Sequence, residues 1–161
     1  MTKELILRLK ASEYMAVGYP TDAEAYTKAA VELNRLDRKG MTSPTYFLLC
    51  HALELLFKAY ILASGGDALD LRQLAVRHNL SELHKRARQL NLSTDDKAEA
   101  VVEMLAPYHQ NHSFRYRDDP GYKTFPTTEV VLEVLHSLTP PISILVRKAL
   151  RDNFSEPSGL S

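Results

Sequence analysis

The chain is poor in the features that mark several large classes of protein. Its 161 residues contain no tryptophan and a single cysteine, Cys50, so an internal disulfide is excluded. A lone cysteine inside an apolar run is typical of a buried, inert thiol, and we therefore expect a cytoplasmic protein. Twenty acidic side chains balance twenty basic ones, so the net charge favours neither nucleic acid nor an anionic membrane as a partner. Any such binding would need a local patch of charge.

Strand patterns are also nearly missing. Alternating Val, Ile and Thr are scarce, whereas helix caps, glycines and prolines recur from end to end, which predicts an all-α fold. The length suits one domain, which we expect over residues 1–154, with a disordered tail at 155–161. The first residues mix charges with leucines and contain no signal-peptide core. Residues 3–17 stay uncertain, because Leu5, Leu7 and Leu9 alternate as a strand would.

Capping residues and breakers predict the helix boundaries. A capping box after Pro20, at Thr21 to Glu24, predicts a helix that ends at Gly40. Asn79 predicts the cap of a later helix, with Glu82 three residues on. The other predicted segments are Ser43-Pro44 to Gly65-Gly66, a short connecting helix at 69–76, a helix from Ser93 or Thr94 to the breaker Pro107, and a last stretch from Thr127 or Thr128 to about Phe154, kinked or restarted at Pro140-Pro141.

The run from Tyr46 to Ala63 is the most informative segment, because it is apolar apart from His51, Glu54 and Lys58. Offsets of three and seven place these three on one stripe of a helix whose other faces are apolar. Such a helix must be surrounded by protein, so the stripe faces solvent, a partner chain or a site. Glu54 and Lys58 are either an ordinary surface pair, worth about 0.2–0.5 kcal/mol, or part of a groove or two-fold interface. The charges near its middle argue against a membrane span.

A second candidate region runs from Tyr108 to Pro126, where no helical or strand period is visible and a long irregular loop is predicted. Histidines and arginines alternate there with aromatic residues, a composition suited to phosphate and stacked bases. The candidate ligand-binding residues are His112, Arg115, Tyr116 and Arg117. The alternative is that the aromatic residues only pin the loop to the bundle.

Other chemistry has little support in the sequence. His109-x-x-His112 has no cysteine companions, so no metal site is predicted. There is no Gly-rich phosphate loop and no Gly-x-Ser-x-Gly frame, so no cofactor is expected and a serine or cysteine triad is set aside. His78, next to the cap Asn79, is expected to serve the capping turn.

Two segments, Phe47–Tyr60 and Arg77–Leu83, resemble the HEPN superfamily, in which an apolar helix with a hALElllKA pattern is followed by a gHdLxxL turn. Phe114-Arg115-Tyr116 is similar to a loop found before the last helix in some members. The resemblance implies an up-and-down bundle of four to six helices that forms symmetric homodimers.

The resemblance also implies a chemistry. Many members are metal-independent ribonucleases with an Arg-x(4–6)-His motif at a dimer cleft, and some act as toxins of toxin–antitoxin pairs. Arg72 and His78 fit that spacing, but they precede the helix capped by Asn79, whereas the family motif lies near the last helix. His112 and Arg115 are nearer that place, in reversed order.

Three functions follow as hypotheses. The first is a dimer that binds a nucleotide or RNA through the Tyr108–Phe125 loop, without strong catalysis. The second is a metal-independent endoribonuclease of the toxin type, with catalytic candidates His112, Arg115, Arg72 and His78. The third is an interaction module that binds a partner protein and no small ligand. None of the three involves a membrane.

Overall fold

The structure, a computed structural model, describes residues 11–36, 43–115 and 123–155, and within them it is all helical. The predicted all-α fold is confirmed. The five α-helices, in chain order, are α1 (Ala11–Leu36), α2 (Ser43–Ala63), α3 (Leu80–Gln89), α4 (Asp96–Gln110) and α5 (Thr128–Ser155). One turn of 3₁₀ helix, Asp70–Arg72, lies between α2 and α3.

Helix α2 is the centre of the bundle, since it contacts each of the other four helices. Apolar side chains are buried on all its faces, and Leu49, Leu53, Leu56 and Phe57 are fully enclosed. The prediction of an apolar helix surrounded by protein is therefore confirmed. Its polar stripe consequently lies inside the molecule, where polar groups need partners.

Two predicted boundaries are confirmed. Helix α2 begins at Ser43 and is closed by Gly65, which has φ 90°, a conformation that favours glycine. The next amide, Gly66 N–H, donates to the Ile61 carbonyl at 2.8 Å. At the start of α3 the Asn79 side chain accepts from the Glu82 amide at 3.1 Å, as the cap predicted from sequence requires.

Three predictions at prolines are wrong: the helix start after Pro20, the break at Pro107 and the restart at Pro140-Pro141. A kink at Pro140-Pro141, the other alternative, stays a prediction. Pro20 lies inside α1, so the helix does not start at the Thr21 capping box. Pro107 lies inside α4, and Pro140 and Pro141 lie inside a continuous α5. Pro107, Pro140 and Pro141 are exposed, so water can satisfy the carbonyls that lose their helical partner.

Three smaller predictions also change. Helix α4 is capped by Asp95, whose side chain accepts from the Ala98 amide at 2.8 Å, and not by Ser93 or Thr94. The helix expected at 69–76 is only the 3₁₀ turn followed by further turns. The loop expected from Tyr108 begins later, because α4 continues to Gln110. Gly40, residues 3–10 and the tail 156–161 lie outside the described residues.

Two of the described helices, α2 and the 128–152 part of α5, are long and apolar enough to cross a membrane. Length and composition alone do not separate a membrane span from a core helix. In α2, 72% of the apolar window is buried against the rest of the protein.

Candidate functional site

A buried carboxylate lies at the centre of the bundle. Glu54, on α2, is only 1% exposed. One turn along the helix, Lys58 Nζ donates to its Oε1 at 2.6 Å, and from α4 His109 Nε2 lies 2.6 Å from its Oε2. Both partners are themselves buried, so this is not the exposed surface pair considered from the sequence. That alternative is wrong.

Two further imidazoles complete the group. His78, in the turn before α3, places Nδ1 3.2 Å from each oxygen of Glu54. His51 Nδ1, on α2, lies 3.9 Å from Oε2. We call Glu54, Lys58, His51, His78 and His109 the Glu54 cluster. The predicted stripe thus lies against His78 and His109 of the same chain. His78 contacts this carboxylate, while the Asn79 side chain supplies the cap of α3.

The cluster keeps its carboxylate charged. Burial by itself raises the pKa of Glu54, but the hydrogen bond from His109, the neighbouring His51 and the ammonium of Lys58 outweigh burial and hold the pKa well below its usual range. Burial, and secondarily the Glu54 charge, raises the pKa of Cys50. Cys50 is therefore a neutral, inert thiol at physiological pH, in line with the sequence interpretation.

A groove opens beside the cluster. It has a volume of about 340 Å³, and its walls include Tyr19, Lys58, Arg72, Arg77 and His78. We call it the basic groove. Arg72 and His78, which the sequence singled out by spacing alone, line it together. Burial and the Glu54 charge raise the pKa of Tyr19, with Arg72 acting in the opposite direction, so Tyr19 presents a neutral hydroxyl.

The loop after α4 lies next to the groove. His112 has a left-handed backbone, φ 56°, and its ring centroid is 6.0 Å from that of His78. Partial burial, together with the charges of Arg115, His78, His109 and Arg77, lowers the pKa of His112. His112 therefore connects the basic groove to the loop.

The aromatic residues of the loop that the structure describes pack against the bundle and one another. Tyr46 Oη donates to the Pro126 carbonyl at 2.6 Å, and the rings of Tyr46, Tyr108, Phe114 and Phe125 pack against one another. These contacts favour the structural alternative for Tyr108, Phe114 and Phe125. Two further predicted ligand-binding residues, Tyr116 and Arg117, lie outside the described residues.

Arg115 is the exposed cation of the described part of the loop. Its guanidinium lies over the Phe47 ring, 4.8 Å from the centroid. This cation–π contact places a flat face of the guanidinium on α2, and because Arg115 is exposed, the N–H donors at the edge of the guanidinium stay accessible.

The Glu54 cluster and the basic groove together have groups that can accept a proton and bind a phosphate. If His78 Nδ1–H donates to the Glu54 carboxylate, the other ring nitrogen, Nε2, carries a lone pair and can accept a proton. The arginines supply planar guanidinium groups that match phosphate oxygens.

A larger surface cavity, about 450 Å³, lies between α3 and α4, but there Arg88 is already paired with Glu99 at 2.8 Å.

Sequence reasoning missed three of the site residues. His109 was assigned to the loop, and Tyr19 and Arg77 were not singled out. They come from α4, α1 and the turn before α3, and no spacing rule links residues 55 positions apart, as His109 and Glu54 are. The only available signal was that a polar stripe on a buried helix needs partners.

The chain matches no family model, no curated protein and no solved structure. The resemblance to the HEPN superfamily accordingly stays a prediction. Function has to be inferred from the Glu54 cluster and the basic groove.

Proposed function

We propose that the protein is a HEPN-like domain that binds the phosphate groups of RNA or of a nucleotide in the basic groove. The observation that carries this proposal is that Arg72, Arg77 and His78 line one groove beside a carboxylate whose charge is already matched. The proposal moves the binding site predicted in the Tyr108–Phe125 loop toward the turn between α2 and α3, with His112 and Arg115 at its edge.

The charge of the groove supports an anionic ligand. Among the described residues, neither Arg72 nor Arg77 is hydrogen-bonded to a carboxylate, and both side chains are exposed. The ammonium of Lys58 balances the charge of Glu54, so the arginines are the surplus charge of this surface. Hydrogen bonds from guanidinium to phosphate are charge-assisted and often bidentate, which gives both affinity and orientation.

Binding is tested with a labelled single-stranded RNA oligonucleotide titrated across a salt series. Because a charge-assisted hydrogen bond is worth about 1.5–3 kcal/mol, Arg72→Gln and Arg77→Gln should each weaken binding by roughly 10- to 100-fold. Each should also reduce the slope of log K against log salt by about 0.7. The matched control is Arg147→Gln, an exposed arginine on α5 that does not line the groove. Equal affinity in all four proteins would exclude this site.

A second candidate function, a metal-independent endoribonuclease, is favoured by the contact between Glu54 and His78. In this reaction His78 takes the proton of a ribose 2′-hydroxyl, the 2′-oxygen attacks phosphorus, and the bond to the 5′-oxygen breaks as that oxygen gains a proton. The products are a 2′,3′-cyclic phosphate and a 5′-hydroxyl. Glu54 orients His78, and Arg72 stabilises the charge that develops on the phosphate.

Cleavage is tested by incubating the protein with RNA in the presence of a chelator. Since general acid–base catalysis contributes about 10²–10⁴-fold, His78→Gln should lower the rate by at least about 100-fold, whereas His136→Gln, an exposed histidine on α5, should not. RNA binding without any cleavage would leave the first function and remove the second. Cleavage that both variants retain would point to a contaminating nuclease.

The site is proposed to work in a homodimer. The resemblance implies a cleft at a two-fold axis, and two exposed leucines adjoin the groove in sequence: Leu69 is 66% exposed and Leu74 is 81% exposed. We propose that a second copy of the chain covers these two leucines.

A further inference from the structure

The Glu54 cluster has a second chemical capacity besides its proposed role beside the basic groove. We propose that Glu54, His78 and His109 form a binding site for a divalent transition-metal ion of the zinc class. The three residues come from α2, from the turn before α3 and from α4, so the site exists only in the folded bundle.

The positions of the donor atoms support this proposal. One carboxylate oxygen, His78 Nδ1 and His109 Nε2 lie within 4.8 Å of one another. Bonds of about 2.0–2.2 Å in a tetrahedron place ligand atoms roughly 3.3 Å apart. His78 Nδ1 is already 3.2 Å from Oε2, whereas His109 Nε2 is 2.6 Å from it and must retreat by about 0.7 Å. His78 lies in a turn and is half-buried, so it has room to adjust.

The ligand set selects the kind of ion. Two imidazoles and one carboxylate suit zinc and its first-row neighbours, whereas magnesium and calcium prefer oxygen ligands throughout. Three protein ligands leave a fourth position, which a water molecule or His51, at 3.9 Å from Oε2, would occupy. Without the ion, imidazole N–H groups that donate to the carboxylate take the place of the metal bonds.

Lys58 sets a limit on the affinity. Its ammonium donates to Oε1, so the ion would bind Oε2 while Lys58 holds the other oxygen and fixes the orientation of the carboxylate. The positive charge of Lys58 also repels the ion. We therefore expect an affinity below that of closed structural zinc sites, and exchange with free ion in solution.

The proposal does not depend on RNA binding, and its test uses neither RNA nor activity. Chelator-treated protein is titrated with ZnCl₂ by calorimetry, and with CoCl₂ while the visible absorption of four-coordinate cobalt is followed. We expect one ion per chain, a higher melting temperature with Zn²⁺, and no comparable effect of MgCl₂.

Histidine variants distinguish this site from binding at the surface. His78→Gln should weaken Zn²⁺ binding at least tenfold and abolish the cobalt bands, and His109→Gln should do the same. The matched control, His136→Gln, should bind as the parent does. Because His109 is buried, the fold of its variant is checked by circular dichroism. His78 is only half-buried, so its variant is a sufficient test by itself. Absence of one-to-one binding in the parent, or equal binding by His78→Gln and His136→Gln, would overturn the proposal.

Discussion

Glu54 is the residue on which the interior of this protein depends. A buried carboxylate loses its hydration, and it is tolerated only when hydrogen-bond donors replace the lost water. Lys58 and His109 each approach one oxygen at 2.6 Å, and His78 approaches both oxygens. The groups are mutually dependent, because the Lys58 ammonium and the imidazoles share this one carboxylate as their partner.

Replacing Glu54 by Gln should therefore destabilise the fold. The change leaves the Lys58 ammonium buried without a counter-charge, and breaking a buried pair in this way costs about 3–5 kcal/mol. Urea denaturation followed by circular dichroism measures the effect. The control is Glu103→Gln, an exposed residue of α4, for which the expected change is within about 0.5 kcal/mol. A loss of stability no larger than in that control would show that the cluster is not strongly coupled.

Glu54→Gln should also change how the free energy of unfolding depends on pH in the acid range. The pKa of Glu54 in the folded protein is lowered, so its contribution to stability is present above the unfolded-state pKa of about 4.3 and is lost as pH falls below it. The parent should consequently lose stability steeply below about pH 4, and Glu54→Gln should lose it less steeply. If the free energy of unfolding falls equally steeply with decreasing pH in both proteins, the acid sensitivity belongs to other carboxylates.

The sequence predicted the polar stripe but not the cluster. Helical spacing was sufficient to place His51, Glu54 and Lys58 on one face, because that relation is local. The approach of His78 and His109 to Glu54 joins residues 24 and 55 positions apart, and it depends on how α3 and α4 pack against α2. No local pattern contains that information.

At the scale of the helices, local signals predicted some helix ends and missed others. The cap Asn79 and the stop at Gly65 are confirmed, whereas the predicted starts of α1 and α4 and the break at Pro107 are wrong. Asn79 and Gly65 satisfy backbone groups at helix ends, so their effect is the same in any context. A proline removes one helical hydrogen bond and crowds the preceding turn, a cost of about 3 kcal/mol that packing can offset. Burying the apolar faces of α1, α4 and α5 against the bundle offsets it at Pro20, Pro107, Pro140 and Pro141.

Two glycines, Gly66 after the end of α2 and Gly18 inside α1, test how local packing decides the effect of a substitution on stability. A Cβ added at Gly66 would lie 2.8 Å from the Ile61 carbonyl oxygen, whereas one added at Gly18, inside α1, would meet nothing within 4 Å. Gly66→Ala should therefore destabilise the protein by about 1–3 kcal/mol. Gly18→Ala should stabilise it by about 0.5–1 kcal/mol, because alanine favours a helix interior. Chemical denaturation measures both changes. A Gly66→Ala variant as stable as the parent would contradict the close packing at the end of α2, and a Gly18→Ala variant less stable than the parent would contradict the open space at Gly18.

At the scale of the whole molecule, helix α2 contributes residues both to the hydrophobic core and to the Glu54 cluster. The buried faces of α2 hold α1, α3, α4 and α5 together, and its polar stripe supplies Glu54 and Lys58 to the cluster. Stability and chemistry are thus linked, since any change in how α3 or α4 packs on α2 also moves His78 or His109. The basic groove lies at one edge of this arrangement, beside the exposed leucines of the turn between α2 and α3.

Those leucines lead to a prediction about assembly. If the groove is completed by a second copy of the chain, burying Leu69 and Leu74 should contribute to a dimer, and light scattering should give a mass near twice 18.2 kDa. Leu74→Glu places a charge in that interface and should shift the protein toward the monomer at a given concentration, because an unpaired charge is costly to bury. The matched control is Ile144→Glu, since Ile144 on α5 is also exposed, at 63%, but lies away from this turn in the sequence. A parent protein that is monomeric at high concentration would rule out the dimer. A dimer that Ile144→Glu breaks and Leu74→Glu does not would place the interface on α5, away from the groove.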